Sequence, residues 1–337
     1  MPDAEGAEDD VIPALSVKIE PEVPPTGHLT LSYATTAAHR RAHWLATARG
    51  FSRYLWGAEV YPGANVFGRY LAYGQVEILA AGNPINLADS GFAEAGWDWN
   101  CWPGTTAIHL PLERLRDKVN NVDRFSGFEE MLISDEPFAG GSNLGGRDGL
   151  FAMKLHEHGK YDGSHRARKS VFFFDDHLVL LGSGITNNDE RHDTRTTLFQ
   201  QRLRSPAAPI RVDDQPALGA FPAQLVRPAA AGASLVDTIG NAYYLLADSA
   251  LRVTKSTQSS RSQNDKRDTS GDFVLAWLDH GAAPRDAGYA YAILVQPTDE
   301  RREDFGAALR QPATAPFAIL RRDNAAHIVR DRDTGIL

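Results

Sequence analysis

Short apolar runs, punctuated by glycine, asparagine or aspartate, recur along most of the chain. Residues 149–156, 169–175, 177–182 and 194–203 read as strands of this kind, and 234–239, 241–246, 273–278 and 289–295 continue the series. Further upstream, 51–61 and 67–79 are aromatic-rich strand candidates joined by a turn at Pro62-Gly63. Residues 317–320 and 327–329 predict a strand pair, and only 299–309 carries a clear helical pattern. The charged stretch 112–130 reads as irregular or weakly helical, and the polar interval 255–271 as a long surface loop. Many short strands with glycine-rich turns and little helix predict an all-β fold, a large antiparallel β-sandwich. No internal repeat is present.

Residues 1–26 are acidic and proline-rich and predict a poorly ordered leader, which leaves 27–337 as the sandwich. A strand pair so close to Leu337 predicts a domain cut short at its C-terminal end. Composition changes this picture little, because 42% hydrophobic and 23% charged residues are ordinary for a globular protein. A net charge of −8 argues against nucleic acid as a partner and demands a locally basic groove for any polyanionic substrate. Cys101 is the single cysteine, which excludes an intramolecular disulfide and a cysteine cluster. The acidic N-terminus lacks the pattern of a signal peptide, and no apolar run is long enough to predict a membrane span.

The densest stretch is 96–111, which holds Trp97, Trp99 and Trp102 with Asp98, Asn100 and a Pro103-Gly104 turn. Tryptophan there suits a core wedge or a sugar-stacking wall. Arg40, Arg41, Arg49 and Arg53, near His39, His43 and Trp44, form a basic cluster that is either an anion-facing strip or a solvated face. Glu59 lies among Trp56, Val60 and Tyr61, near Arg53 and Arg69, and is either the partner of a buried arginine or part of an acid/base site. His156 and His158 would share a face of a strand, but they lack a third ligand and the helical spacing of a zinc protease. The glycine-rich 140–146 is not followed by a phosphate-binding lysine, and no Gly-x-Ser-x-Gly elbow occurs.

Several stretches together resemble the polysaccharide lyases of family 8, which cleave chondroitin sulfate and hyaluronan by β-elimination, most closely the chondroitin ABC lyase branch. They are His39-Arg40-Arg41 with Trp44, Arg49-Gly50-Phe51, Glu59 with Asn65, Gly68-Arg69-Tyr70 and Gly74, and Trp97-Asp98-Trp99-Asn100 with Pro103-Gly104-Thr105-Thr106. Phe138-Ala139-Gly140-Gly141, 169–176, 181–185, 196–200 and 277–280 extend the match in the right order. The resemblance implies the central super-sandwich, akin to galactose mutarotase, without the N-terminal α/α toroid that supplies the family's catalytic Tyr, His and Arg. It implies a supporting role for Glu59, which would hold that Arg and Tyr in place. Substrate contacts are expected from Arg53, Asn65, Arg69, Trp97, Trp99, Asn100 and Trp102.

The partners implied are an acidic polysaccharide and a separate helical-toroid polypeptide, with an extracellular or periplasmic location and no cofactor or metal. The alternatives are a non-catalytic carbohydrate-binding or scaffold sandwich and an inactive fragment. Two departures touch the site. Pro62 stands where the family's hyaluronan branch has asparagine, and Cys101 where arginine is common.

Overall fold

A computed structural model describes residues 23–335 except 58, 62, 119–129, 214 and 248. The leader expected at 1–26 and the departure at Pro62 therefore lie largely outside the described residues, as does most of 112–130. The chain begins with β1 (Gly27–Leu31), β2 (Thr36–Arg41) and β3 (Trp44–Arg49), followed by β4 (Glu59–Val60), β5 (Gln75–Leu79) and β6 (Thr106–Ile108). A one-turn helix, α1 (Leu112–Leu115), precedes β7 (Glu130–Met131), β8 (Ala139–Leu144) and β9 (Asp148–His156). Next come β10 (Arg166–Phe174), β11 (His177–Thr186), β12 (Asp193–Arg202), β13 (Ile210–Val212), β14 (Gln215–Ala217) and β15 (Ala223–Arg227). The last third holds β16 (Ser234–Val236), β17 (Ala242–Leu245), β18 (Ala250–Arg261), β19 (Asp268–Ala282), β20 (Ala287–Leu294), α2 (Asp299–Leu309), β21 (Phe317–Arg322) and β22 (His327–Asp331).

A nine-stranded sheet, ordered β14-β13-β16-β17-β20-β11-β10-β9-β8, faces a five-stranded sheet, β15-β18-β19-β12-β6. All pairings between named strands are antiparallel, as the sequence predicts. The triple phenylalanine of β10 shows why its strands lack apolar–polar alternation. Val171 and Phe173 enter the core shared with the smaller sheet, whereas Phe172 and Phe174 enter a second core on the opposite face. Leu178 and Leu180 of β11 divide from Val179 and Leu181 in the same way. A sheet buried on both faces needs apolar residues at every position. The outer face is covered by Phe305 of α2 and by Phe317 and Val329 of the β21–β22 hairpin.

Three expectations are corrected. Residues 51–61 form strand only at β4, because Ser52 turns the chain with its backbone N–H to the Leu55 carbonyl and its hydroxyl oxygen accepting from the Tyr54 N–H. In 67–79 only β5 is strand, since turns at Gly68–Leu71 and Tyr70–Tyr73 spend the preceding backbone groups. The polar interval 255–271 is not a loop but the far half of the β18–β19 hairpin, paired without a break from Ala250↔Asp279 to Arg261↔Asp268.

Candidate functional site

The hairpin's polar residues are spent on the tryptophan stretch. Ser260 donates its hydroxyl to the Trp97 carbonyl at 2.6 Å, and the Trp99 indole donates to the Arg261 carbonyl at 2.9 Å. The Gly96 N–H reaches the Thr269 hydroxyl at 3.1 Å. Gly96 has φ +87°, and a Cβ there would stand 2.3 Å from the Gly271 nitrogen, so only glycine lets the two segments meet. From the other side, Gln200 of β12 accepts from the Asp98 N–H and donates to the carbonyls of Asp98 and Cys101.

The three indoles therefore lie inside. Trp102, the most open, is 7% exposed. Trp97 and Trp102 pack at 5.3 Å, Phe92 lies against both, and Trp99 stacks on Phe67 at 5.9 Å. A sugar stacks on an open ring face, and these three expected contact residues are packed in the core. Asn100 is likewise occupied. Its side chain donates to the Leu110 carbonyl and accepts from the Leu110 N–H, both at 2.9 Å. That reciprocal pair staples the loop to the segment after β6 and sets His109 opposite Asp98, with Nε2 2.8 Å from Oδ2. Cys101 Sγ lies 3.4 Å from the same oxygen. Burial works to raise the Asp98 pKa, but His109 and the Asn100 hydrogen bonds outweigh it and hold the carboxyl well below the usual range. Burial pushes the Cys101 thiol far up.

An open cleft of about 1000 Å³ adjoins these elements, lined by Val66, Arg69, Ile108, Leu110, residues 113–114 and 116–118, residues 160–162 and residues 188–191. At its inner wall Arg69 is buried and ion-paired with Glu157, its guanidinium 3.8 Å over the Tyr161 ring. Tyr73 adds its hydroxyl to the same carboxylate at 3.4 Å. Burial opposes the charge on Arg69, yet the neighbouring Tyr70 and Glu157 raise its pKa above the ordinary value. The sequence expected Glu59 as the carboxylate near Arg69. In the structure the carboxylate paired with Arg69 is that of Glu157, and the Glu59 backbone pairs with Met131 in β4.

Two other cations of the cleft lie beside carboxylates. Arg114 lies 3.8 Å from Asp189, and Arg116 lies 3.1 Å from Asp265. Among the remaining expected contacts, Asn65 folds its own turn by accepting from the Phe67 N–H at 3.0 Å, and Val66 follows it into the cleft wall. Arg53 is exposed, its ring neighbour being Tyr54 at 6.0 Å. In the basic cluster at 39–49, Arg41 pairs with Asp175 at 3.2 Å and Asp148 at 3.6 Å, while the exposed Arg49 donates to the Gly57 carbonyl. His156 is held by Asp135 and the Gly163 carbonyl, while His158 caps a turn at Lys160, so the two imidazoles serve separate local structures.

Sequence reading passed over Glu157 and His109. The first was legible only as the middle of a histidine pair, and the second carried no local signal beyond its distance from Asp98.

The sequence profile of polysaccharide lyase family 8, super-sandwich domain, matches residues 30–304. The chain is 44% identical over 315 residues to a chondroitin sulfate ABC exolyase of Bacteroides thetaiotaomicron, covering 93% of this chain and 29% of that protein. It is 38% identical over 324 residues to a chondroitin sulfate ABC exolyase of Proteus vulgaris, covering 94% and 30% respectively. Among solved structures, a Paenibacillus xanthan lyase superposes with a TM-score of 0.73 at 22% identity, over 92% of this chain and 28% of that one. The chain thus spans about three-tenths of the curated relatives it matches.

Proposed function

The chain belongs to polysaccharide lyase family 8, and from that premise we propose that it forms the sandwich wall of an enzyme that cleaves chondroitin-type polysaccharide by β-elimination. The observation that carries this reading is the 44% identity, spread over 93% of the chain, to a chondroitin sulfate ABC exolyase. Elimination removes the proton beside a uronate carboxylate, so that carboxylate must be neutralised while charge develops. It also needs a base that can return a proton to the leaving oxygen.

In this chain Arg69 is buried and committed to Glu157, so it is not offered to a sugar, and Arg114 lies beside Asp189. Following the family resemblance, the neutralising and proton-transfer groups of this proposal sit on a helical toroid, on a longer product or a separate polypeptide. Glu59 is its positioning contact from the sandwich side. The acidic polymer enters along the cleft between Val66 and residues 188–191. The setting proposed is extracellular or periplasmic, and no helix among the described residues is long and apolar enough to cross a membrane.

The test incubates chondroitin sulfate with the chain alone and with a toroid domain from a relative, following the ultraviolet absorbance of the unsaturated product. Product from the mixture and none from the chain alone is the expected result. No product from the mixture would overturn the reading, and product from the chain alone would overturn the assignment of chemistry to the toroid. The alternative of a non-catalytic sugar-binding module on Trp97, Trp99 and Trp102 finds no support in their burial.

A further inference from the structure

The loop between Asp98 and His109 holds a second kind of chemistry. One carboxylate oxygen, one thiol sulfur and one imidazole nitrogen, from Asp98, Cys101 and His109, lie within 4.8 Å of one another. We infer that these three side chains form a binding site for a zinc-class divalent cation. The donor set excludes calcium and magnesium, which require several oxygens, and suits a borderline-soft ion that accepts thiolate, imidazole and carboxylate together.

The spacing fits with little movement. A tetrahedral zinc ion at ordinary bond lengths holds an oxygen and a sulfur about 3.5 Å apart, and an oxygen and a nitrogen about 3.3 Å apart. Here the Asp98 Oδ2–Cys101 Sγ distance is 3.4 Å and the Asp98 Oδ2–His109 Nε2 distance is 2.8 Å. The second pair must open by about 0.5 Å, His109 having a side chain 30% exposed and free to yield, and the Cys101 Sγ–His109 Nε2 pair, within 4.8 Å, must settle at about 3.6 Å.

The supporting contacts are of the kind that orient metal ligands. Asp98 Oδ1, the oxygen turned away from the other donors, accepts from the Asn100 backbone N–H at 3.0 Å and its side-chain amide at 3.1 Å. Gln200 fixes the backbone at Asp98 and Cys101, and the Asn100–Leu110 staple fixes the segment bearing His109. The ligands are thus held from both sides before any ion arrives, which lowers the ordering cost of binding.

The balance is simple. The Cys101 S–H bond breaks, its proton leaves to solvent, and sulfur bonds the metal. His109 binds through Nε2 with its proton on Nδ1. A divalent ion with one thiolate, one carboxylate and one neutral imidazole is neutral overall, which a buried sulfur tolerates. The exposed side of Asp98 and His109 leaves a fourth position to water.

The test titrates the metal-stripped full chain with cobalt(II), then with zinc. One equivalent of cobalt should bind with a thiolate-to-cobalt charge-transfer band in the near ultraviolet, and zinc should displace it. Cys101→Ala should abolish that band. His109→Gln should weaken cobalt binding by about 100-fold or more, since even outer-shell changes at metal sites cost 10–100-fold. Absence of stoichiometric binding in the unmodified chain, or equal binding in both variants, would overturn the inference. Should Cys101→Ala fail to fold, His109→Gln and the charge-transfer band of the unmodified chain still decide.

Discussion

The segments 51–61 and 96–102 are both rich in aromatics, yet apart from the buried Phe51 their rings end in opposite environments. Tyr54, Trp56 and Tyr61 stay on the surface, Trp56 being 40% exposed, whereas Trp97, Trp99 and Trp102 are sealed in the core. The difference does not lie in the rings. It lies in what the rest of the chain brings to each segment. The first turns at Ser52 and meets the distant residues 132–136 through main-chain hydrogen bonds, Arg53 N–H to Glu136, Gly57 N–H to Leu132 and Ser134 N–H to Ser52. The second is clasped by Gln200 from one sheet strand and by Ser260, Arg261 and Thr269 from a hairpin far along the sequence. Here the aromatic cluster that becomes core is the one clasped by distant polar side chains, those of Gln200, Ser260 and Thr269.

The largest break in this comparison comes from Trp99→Ala. Removing a fully buried indole stacked on Phe67 should lower unfolding stability by about 3–5 kcal/mol, read from the urea midpoint at constant m-value.

Acid should come next, because the interior holds imidazoles that cannot easily charge. Burial, joined by Arg41, lowers the His39 pKa to about 3. Burial also lowers His165 and His280 to about 4, against a reference of 6.5. Between those values the unfolded chain binds protons that the folded chain refuses, so stability is full above pH 6.5 and falls as pH drops towards 4. Each such proton contributes about 1.4 kcal/mol per pH unit. Below that window, protonation of Asp98 removes the carboxylate that His109 and Asn100 hold, a further loss confined to the clasped segment. Glu157 and Asp237, raised by burial, act in the opposite sense and reduce the slope. Urea midpoints across pH 3–8 measure the sum, and a flat profile would contradict it.

The smallest effect belongs to the surface segment. Trp56→Ala should change stability by no more than about 0.5 kcal/mol, and a larger loss in the same urea titration would place that segment in the core as well.

Much of the sandwich was legible because its signal is local. The short apolar runs in β10 and β11 read as strands, which the structure buries on both faces, and the helix at α2 starts as expected, with the Thr298 hydroxyl accepting from the Arg301 N–H. The β18–β19 hairpin was illegible past Lys255 because its serines and threonines look like a loop until the tryptophan stretch they hold is placed against them. The site failed in the same way. Arg69 and Glu157 are 88 residues apart, and nothing near either one names the other. Asn100 reads as a sugar contact until Leu110 is seen to take both ends of its amide.

The clasp also bears on how the protein is made. Trp97 and Gly96 find their partners at Ser260 and Thr269, 163 and 173 residues later. A ribosome will have released the tryptophans long before those partners emerge, leaving three indoles without their final cover in the interval. Contacts of such long range form slowly, so this stretch is where a nascent chain is most exposed to self-association. Any truncation ahead of residue 270 would leave that exposure permanent.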